Sequence, residues 1–144
     1  MNDLVPAIKH LKFIEGVLKI LVAATLFLAT LVFFFVFVLN WEDWFFGMKL
    51  DGTPAGVYLL VKSLAAGILF FLILRYPEKS RRITSLTILY FGFILADSSV
   101  TIQKNTDGHS MVSPVLAVFF IIPVVLLVVQ SVAAIYSRNG VAAQ

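Results

Sequence analysis

The chain has 144 residues, of which 60% are apolar and only 13% charged, with a net charge of +3. A soluble domain is about half apolar and about a quarter charged, so a soluble globular domain is excluded and the apolar excess has to face lipid. Cysteine is absent, which excludes disulfides, thiolate metal sites, iron–sulfur clusters and cysteine nucleophiles. The basic excess lies beside apolar stretches with no soluble basic domain to carry it, so it points to membrane topology and not to nucleic acid.

A helix needs about 20 apolar residues to cross a hydrocarbon core of ~30 Å. The first candidate span runs from about Val17 to Leu39. Lys9, Lys12 and Lys19 precede it as the basic region of a signal peptide would. However, Ile20 to Trp41 makes 22 uncharged residues, more than the ~7 to 15 of a signal core, so the segment reads as a retained first helix. Asp3 as a cap, Pro6 in the first turn and the stripe Leu4, Ile8, Leu11 and Ile14 predict an interfacial lead-in that extends this helix backward.

The connector Asn40-Trp41-Glu42-Asp43-Trp44-Phe45-Phe46 follows. Asn40 as a cap with acids in the first turn predicts a short interfacial helix, its aromatics at the headgroup layer. The second span, about 55–75, opens at Thr53-Pro54, a hydroxyl cap before a proline suited to the first turn, and closes near Arg75. It contains Lys62. The third, about 82–102, opens at Ser80, but only the 14 residues Ile83 to Ala96 are uncharged, ~21 Å of helix, so Asp97 lies at membrane depth or at its edge. The fourth, about 113–136, opens at Ser113-Pro114 and carries Pro123, which deprives the Phe119 carbonyl of its helical donor and predicts a kink.

These elements predict an all-α fold: one integral membrane domain over residues 1–144, a four-helix bundle with a short interfacial helix in its first outer connector. Eight basic residues (Lys9, Lys12, Lys19, Arg75, Lys79, Arg81, Arg82 and Arg138) fall on one side of four spans, against Lys49 and Lys104 on the other. The positive-inside rule then places both termini in the cytoplasm. The expected location is a plasma membrane, specifically a bacterial inner membrane, crossed several times.

Ionisable residues inside spans are costly and mark candidate sites. Lys62 lies ~12 Å along its helix from Pro54, and Asp97 ~9 Å from Gln103, which brings both to similar depth in the outer leaflet. Ser63 and Gly67 on one helix, and Gly92 and Ala96 on the other, offer small-residue faces for close packing of the two. Two readings stay open. In one, Lys62 snorkels, Asp97 is hydrated, or the two form a structural pair. In the other, Lys62, Asp97, Ser98, Ser99, Tyr90 and His109 line an outer polar pocket, roofed also by Trp41 and Trp44. Such a pocket would bind an amphipathic or amine molecule or relay protons.

Lys79, Arg81 and Arg82 are candidate lipid-headgroup contacts or simple orientation signals. Gln130, deep in the fourth helix, is expected to hydrogen-bond between helices. His109 has only His10 as a fellow histidine, on the opposite side, so no two-histidine metal site forms within one chain. No serine–histidine–acid set, HExxH, glycine-rich phosphate loop or intramembrane carboxylate pair is present, so the chain reads as non-catalytic and without cofactor.

Several features in order resemble the DoxX-like group of small four-helix bacterial membrane proteins. They are the aromatic, acidic connector Trp41 to Asp51, the helix start Gly56-Val57-Tyr58, the basic inner turn, and Asp107-Gly108-His109 before the last helix. The group tends to carry an arginine near the outer end of the third helix, where this chain has Asp97-Ser98-Ser99. The resemblance implies a four-helix bundle and, as for some members of the group, association with respiratory or redox complexes. With membrane lipids and protein subunits as the expected partners, the leading functional expectation is an accessory or interaction subunit of a larger membrane complex. The alternative is a carrier, binding protein or proton-coupled transporter for a lipid-like or amine molecule.

Overall fold

A computed structural model describes residues 4–104 and 112–141. Four helices dominate it: α1 (Leu4–Leu39), α2 (Thr53–Arg75), α3 (Ser80–Lys104) and α4 (Val112–Val141). Each is long and apolar enough to cross a membrane. Only 28%, 33%, 33% and 22% of their four most apolar stretches are buried within the protein, so most of the apolar surface faces outward, as lipid requires and water would not tolerate. Phe13, Ile20, Phe35, Phe71, Leu74 and Leu89 are among the side chains so exposed.

The core follows helical spacing. On α2 the buried stripe is Ala55, Leu59, Lys62, Ala66, Leu69 and Ile73, and on α3 it is Ser80, Ile83, Thr84, Thr87, Phe91, Ile94 and Asp97. Apart from the adjacent Ile83 and Thr84, each stripe steps by three or four residues, one face of a helix. Thr84 and Thr87 are fully buried but donate to the carbonyls of Ser80 and Ile83 one turn back, so neither hydroxyl is left unpaired. Val22 and Leu26 of α1 and Leu126 of α4 close the centre. The helices form a ring in which α1 packs against α2 and α4, and α3 against α4, while α2 and α3 meet more sparsely.

This ring corrects the expected use of the small residues. Gly67 lies against Thr30 of α1, and Ser63 Oγ donates to the Thr30 carbonyl at 3.0 Å. Gly92 lies against Phe120 of α4. The two small faces therefore admit α1 and α4 and not one another, because the seam between α2 and α3 is filled by long polar side chains and a wedge from the first connector.

That wedge is the second correction. The connector is not a short helix but an antiparallel hairpin, β1 (Glu42–Phe45) and β2 (Met48–Asp51), with Asp43 opposite Leu50 and Phe45 opposite Met48. Its two-residue turn has φ of 47° at Phe46 and 77° at Gly47. Positive φ at both central positions is the turn whose twist matches paired strands. Trp44 and Phe45 favour extended backbone. Alternation then sends Asp43 and Phe45 to one face and Glu42 and Trp44 to the other, which a helix starting at Asn40 cannot do.

The hairpin also moves the cap of α2. Gly52, with φ of 64°, occupies the position expected for Thr53 and makes no side-chain cap; its amide donates to the Trp41 carbonyl at 2.9 Å, and its carbonyl accepts the Gly56 amide at 3.0 Å. Glycine carries the chain directly from strand to helix because it alone adopts this backbone without strain. At the far end a 3-10 turn, Pro77–Lys79, joins α2 to α3. α1 extends back to Leu4, and α4 continues past the fully buried Pro123 as one helix.

Candidate functional site

The inner face of the hairpin rests on the start of α2 and the end of α3. Phe45 meets the Tyr58 ring edge-on at 5.3 Å, and Phe46 meets Phe93 at 5.7 Å. Beneath these rings lies the charged cluster. Lys62 Nζ is 2.7 Å from Asp43 Oδ2 and 3.4 Å from Asp97 Oδ2, and it sits 3.9 Å from the Tyr58 ring centroid. An ammonium has three donors and no acceptor; two carboxylates and an aromatic face surround this one.

Asp97 is satisfied from other directions as well. Its Oδ1 accepts the Phe46 amide at 2.6 Å, and its Oδ2 accepts the Tyr58 hydroxyl at 2.7 Å. One and two turns further on, Thr101 Oγ1 accepts the Gly47 amide at 3.1 Å and Lys104 Nζ donates to the Phe46 carbonyl at 3.0 Å. Asp97, Thr101 and Lys104 recur at helical spacing on one face of α3, and together they hold both turn residues. A side chain at Gly47 would collide with that of Lys104.

Lys62 is 6% exposed and Asp97 3%. Charges this buried are tolerated only when paired and hydrogen-bonded, and losing one partner costs about 3 to 5 kcal/mol. Two carboxylates face one ammonium, and the surplus negative charge is met by the Tyr58 hydroxyl and the Phe46 amide. The arrangement is a closed lock: its donors and acceptors are used by the chain's own groups, and they fix the hairpin against α2 and α3.

The other predicted residues are distributed around this lock. Tyr90 donates to the Lys62 carbonyl at 3.0 Å, and Ser99 donates to Leu95 of its own helix at 2.7 Å. Ser98 is half-buried one position beyond Asp97, off its face. Trp41 lies on Gly56 and stacks on Phe37 at 6.0 Å, while alternation places Trp44 on the hairpin's outer face; the roof of the cluster is therefore the hairpin itself. His109 lies outside the described residues.

At the opposite end Lys79, Arg81 and Arg82 are exposed, with Lys79 Nζ 5.3 Å from the Tyr76 ring and Arg81 donating to Ser131 Oγ at 3.2 Å. Gln130 donates to Ser80 Oγ at 2.8 Å and to Glu15 Oε1 at 3.5 Å, joining α4 to α3 and α1. No group of His, Asp and Glu suited to a metal ion occurs among the described residues.

Sequence reasoning missed Asp43, Thr101 and Lys104 as partners of the cluster. Asp43 carried no local signal, since Glu42-Asp43-Trp44-Phe45 runs polar, polar, aromatic, aromatic and does not alternate. The outer face of the hairpin carries Glu42, Trp44, Lys49 and Asp51. There Lys49 bridges Asp51 at 3.2 Å and Glu42 at 3.5 Å, and the hydrogen bond and charge of Asp51 raise its pKa above the ordinary lysine value. No family model, curated protein or solved structure matches the chain.

Proposed function

We propose that the protein is a non-catalytic membrane subunit that presents a fixed hairpin on the outer side of a bacterial inner membrane to a partner in a larger assembly. The observation that carries this is the lock. A buried ammonium and two carboxylates are committed to holding four-residue strands at one position and angle. An ion network of this kind adds little net stability but restricts conformation, and a fixed outer loop is of use to a surface that must be recognised.

The presented face suits that role, combining an aromatic with charged groups: half-buried Trp44 stands among Glu42, Lys49 and Asp51, and Trp41, 48% exposed, lies at the hairpin's base. Aromatic anchors ringed by polar groups are the composition of binding surfaces. The eight-to-two distribution of basic residues supports termini in the cytoplasm and the hairpin outside. The resemblance to DoxX-like proteins adds a respiratory or redox assembly as the setting. A carrier built on Lys62 and Asp97 draws less support, because the hairpin covers both and the chain satisfies them.

The test is purification in mild detergent after photo-crosslinking from position 44 or 49 in cells, with mass spectrometry. A defined membrane protein captured from both outer-face positions, and lost on Gly47→Val, is the expected result. Recovery of the uncrosslinked protein alone across detergents and salts contradicts the reading.

A further inference from the structure

The two long helices α1 and α4 enclose a cleft of about 380 Å³ at the end remote from the hairpin, lined by Ile8, Leu11, Lys12, Glu15, Gln130 and Ser137, with Ala133 and Ala134. Its floor is set by the hydrogen bonds that bring Gln130 level with Ser80 and Glu15. Ser80 directly follows the 3-10 turn, so α2 and α3 turn back near this level, whereas α1 and α4 run on past it. Glu15 to Ile8 and Gln130 to Ser137 each span about 10 Å. The overhang lies beyond the uncharged run of α1, which starts at Ile20, as expected for a headgroup-level position, and its volume lies within the ~300 to 1,000 Å³ of ligand sites.

The polar groups of the cleft are not closed as those beneath the hairpin are. Gln130 is 7% exposed, and its Oε1 is a buried acceptor with no donor among the described residues. Such an orphan is costly and calls for an occupant. Beside it Glu15 pairs, among the described residues, with Lys19 at 2.8 Å and keeps acceptor capacity. The floor thus offers Glu15 directly and Gln130 Oε1 once the amide turns toward the cleft. One helical turn outward, ~5 Å, Lys12 offers a cation, and Ile8, Leu11, Ala133 and Ala134 form apolar walls.

We propose that this cleft binds a phospholipid whose headgroup carries a primary ammonium. The ammonium donates to Glu15 and, after a small rotation of the amide, to Gln130 Oε1. The headgroup lies across the cleft with its phosphate met by the Lys12 side chain, and the acyl chains turn into the membrane along the exposed apolar faces of α1 and α4. A quaternary ammonium has no N–H to give, and a headgroup without an amine leaves both acceptors unmet, so selection rests on the N–H donors. Lipid is favoured over a free phosphomonoester of the same headgroup because the cleft sits at headgroup depth between lipid-facing walls.

The test uses the full chain in nanodiscs with equal phosphatidylethanolamine and phosphatidylcholine in a phosphatidylglycerol background, released and read by native mass spectrometry. One or two charge-assisted hydrogen bonds predict about tenfold preferential retention of phosphatidylethanolamine. Glu15→Gln and Gln130→Leu should each bring the ratio close to one. Ala134→Phe, which fills the cleft without touching its polar floor, should remove the bound lipid and guards against misfolding of the polar variants. Equal retention of both lipids by the unaltered protein, or an undiminished ratio in Ala134→Phe, overturns the proposal. Displacement of the bound lipid by soluble phosphoethanolamine at equal concentration overturns the lipid as the occupant.

Discussion

The two ends of this bundle solve the same problem of buried polarity in opposite ways. At the hairpin end Lys62, Asp43, Asp97 and Tyr58 satisfy one another beneath a lid made of the chain itself. At the other end Gln130 and Glu15 reach across three helices yet leave an acceptor without a donor among the described residues, beside an open cleft. A closed network holds shape and offers little to a ligand, whereas an incomplete one is structurally weaker and chemically available. The difference separates a residue that is costly because it locks from one that is costly because it waits for a partner.

Substitutions at the two ends should therefore behave differently, and the only two tryptophans, Trp41 and Trp44, report on the hairpin directly by fluorescence during thermal unfolding. The largest effect is expected for Lys62→Met, which leaves Asp43 and Asp97 without their shared cation. A loss of about 3 to 5 kcal/mol is predicted, and an unchanged midpoint would dissolve the contrast. Tyr58→Phe removes one hydrogen bond to a carboxylate and should cost about 1.5 to 3 kcal/mol.

Gly47→Ala places a side chain at φ of 77° against Lys104, for about 1 to 2 kcal/mol, with faster hydrogen exchange confined to the hairpin. A bundle-wide change would show that the hairpin is not a separate docked unit. Gln130→Leu at the other end should cost about 1 kcal/mol, since the lost 2.8 Å hydrogen bond to Ser80 is partly offset by removal of the unmet acceptor. The exposed pairs of Lys49 should matter least: Lys49→Met is expected to leave the midpoint unmoved, as solvent-screened ion pairs do.

Much of this architecture is legible in the chain because span length is a strong constraint. The four helices follow from uncharged stretches of sufficient length, and the equal depth of Lys62 and Asp97 follows from counting residues from Pro54 and Gln103. Which neighbour a helix face meets is not written in spacing alone. Ser63-Gly67 and Gly92-Ala96 announce close approach without naming α1 or α4 as the approaching helix. The hairpin was hidden for a sharper reason. Asn40 followed by Glu42 and Asp43 imitates a capped helix start, and Phe46-Gly47 lacks the Asn-Gly or Asp-Gly pair that usually marks a two-residue turn. Phe46 takes a left-handed backbone that aromatics seldom adopt, held there by Asp97, fifty-one residues away. A contact of that range is invisible to local pattern.

The central claim, that the buried charges exist to hold the hairpin, is tested most directly by hydrogen exchange at the Phe46 amide in a double-mutant cycle of Lys62→Met and Asp97→Asn. The account predicts that each single variant speeds exchange at Phe46 and Gly47, and that the double variant is clearly better protected than the sum of the two losses implies, since Lys62→Met strands both Asp43 and Asp97 whereas the double variant strands Asp43 alone. Additive losses, or exchange at Phe46 unchanged in all three variants, would contradict it.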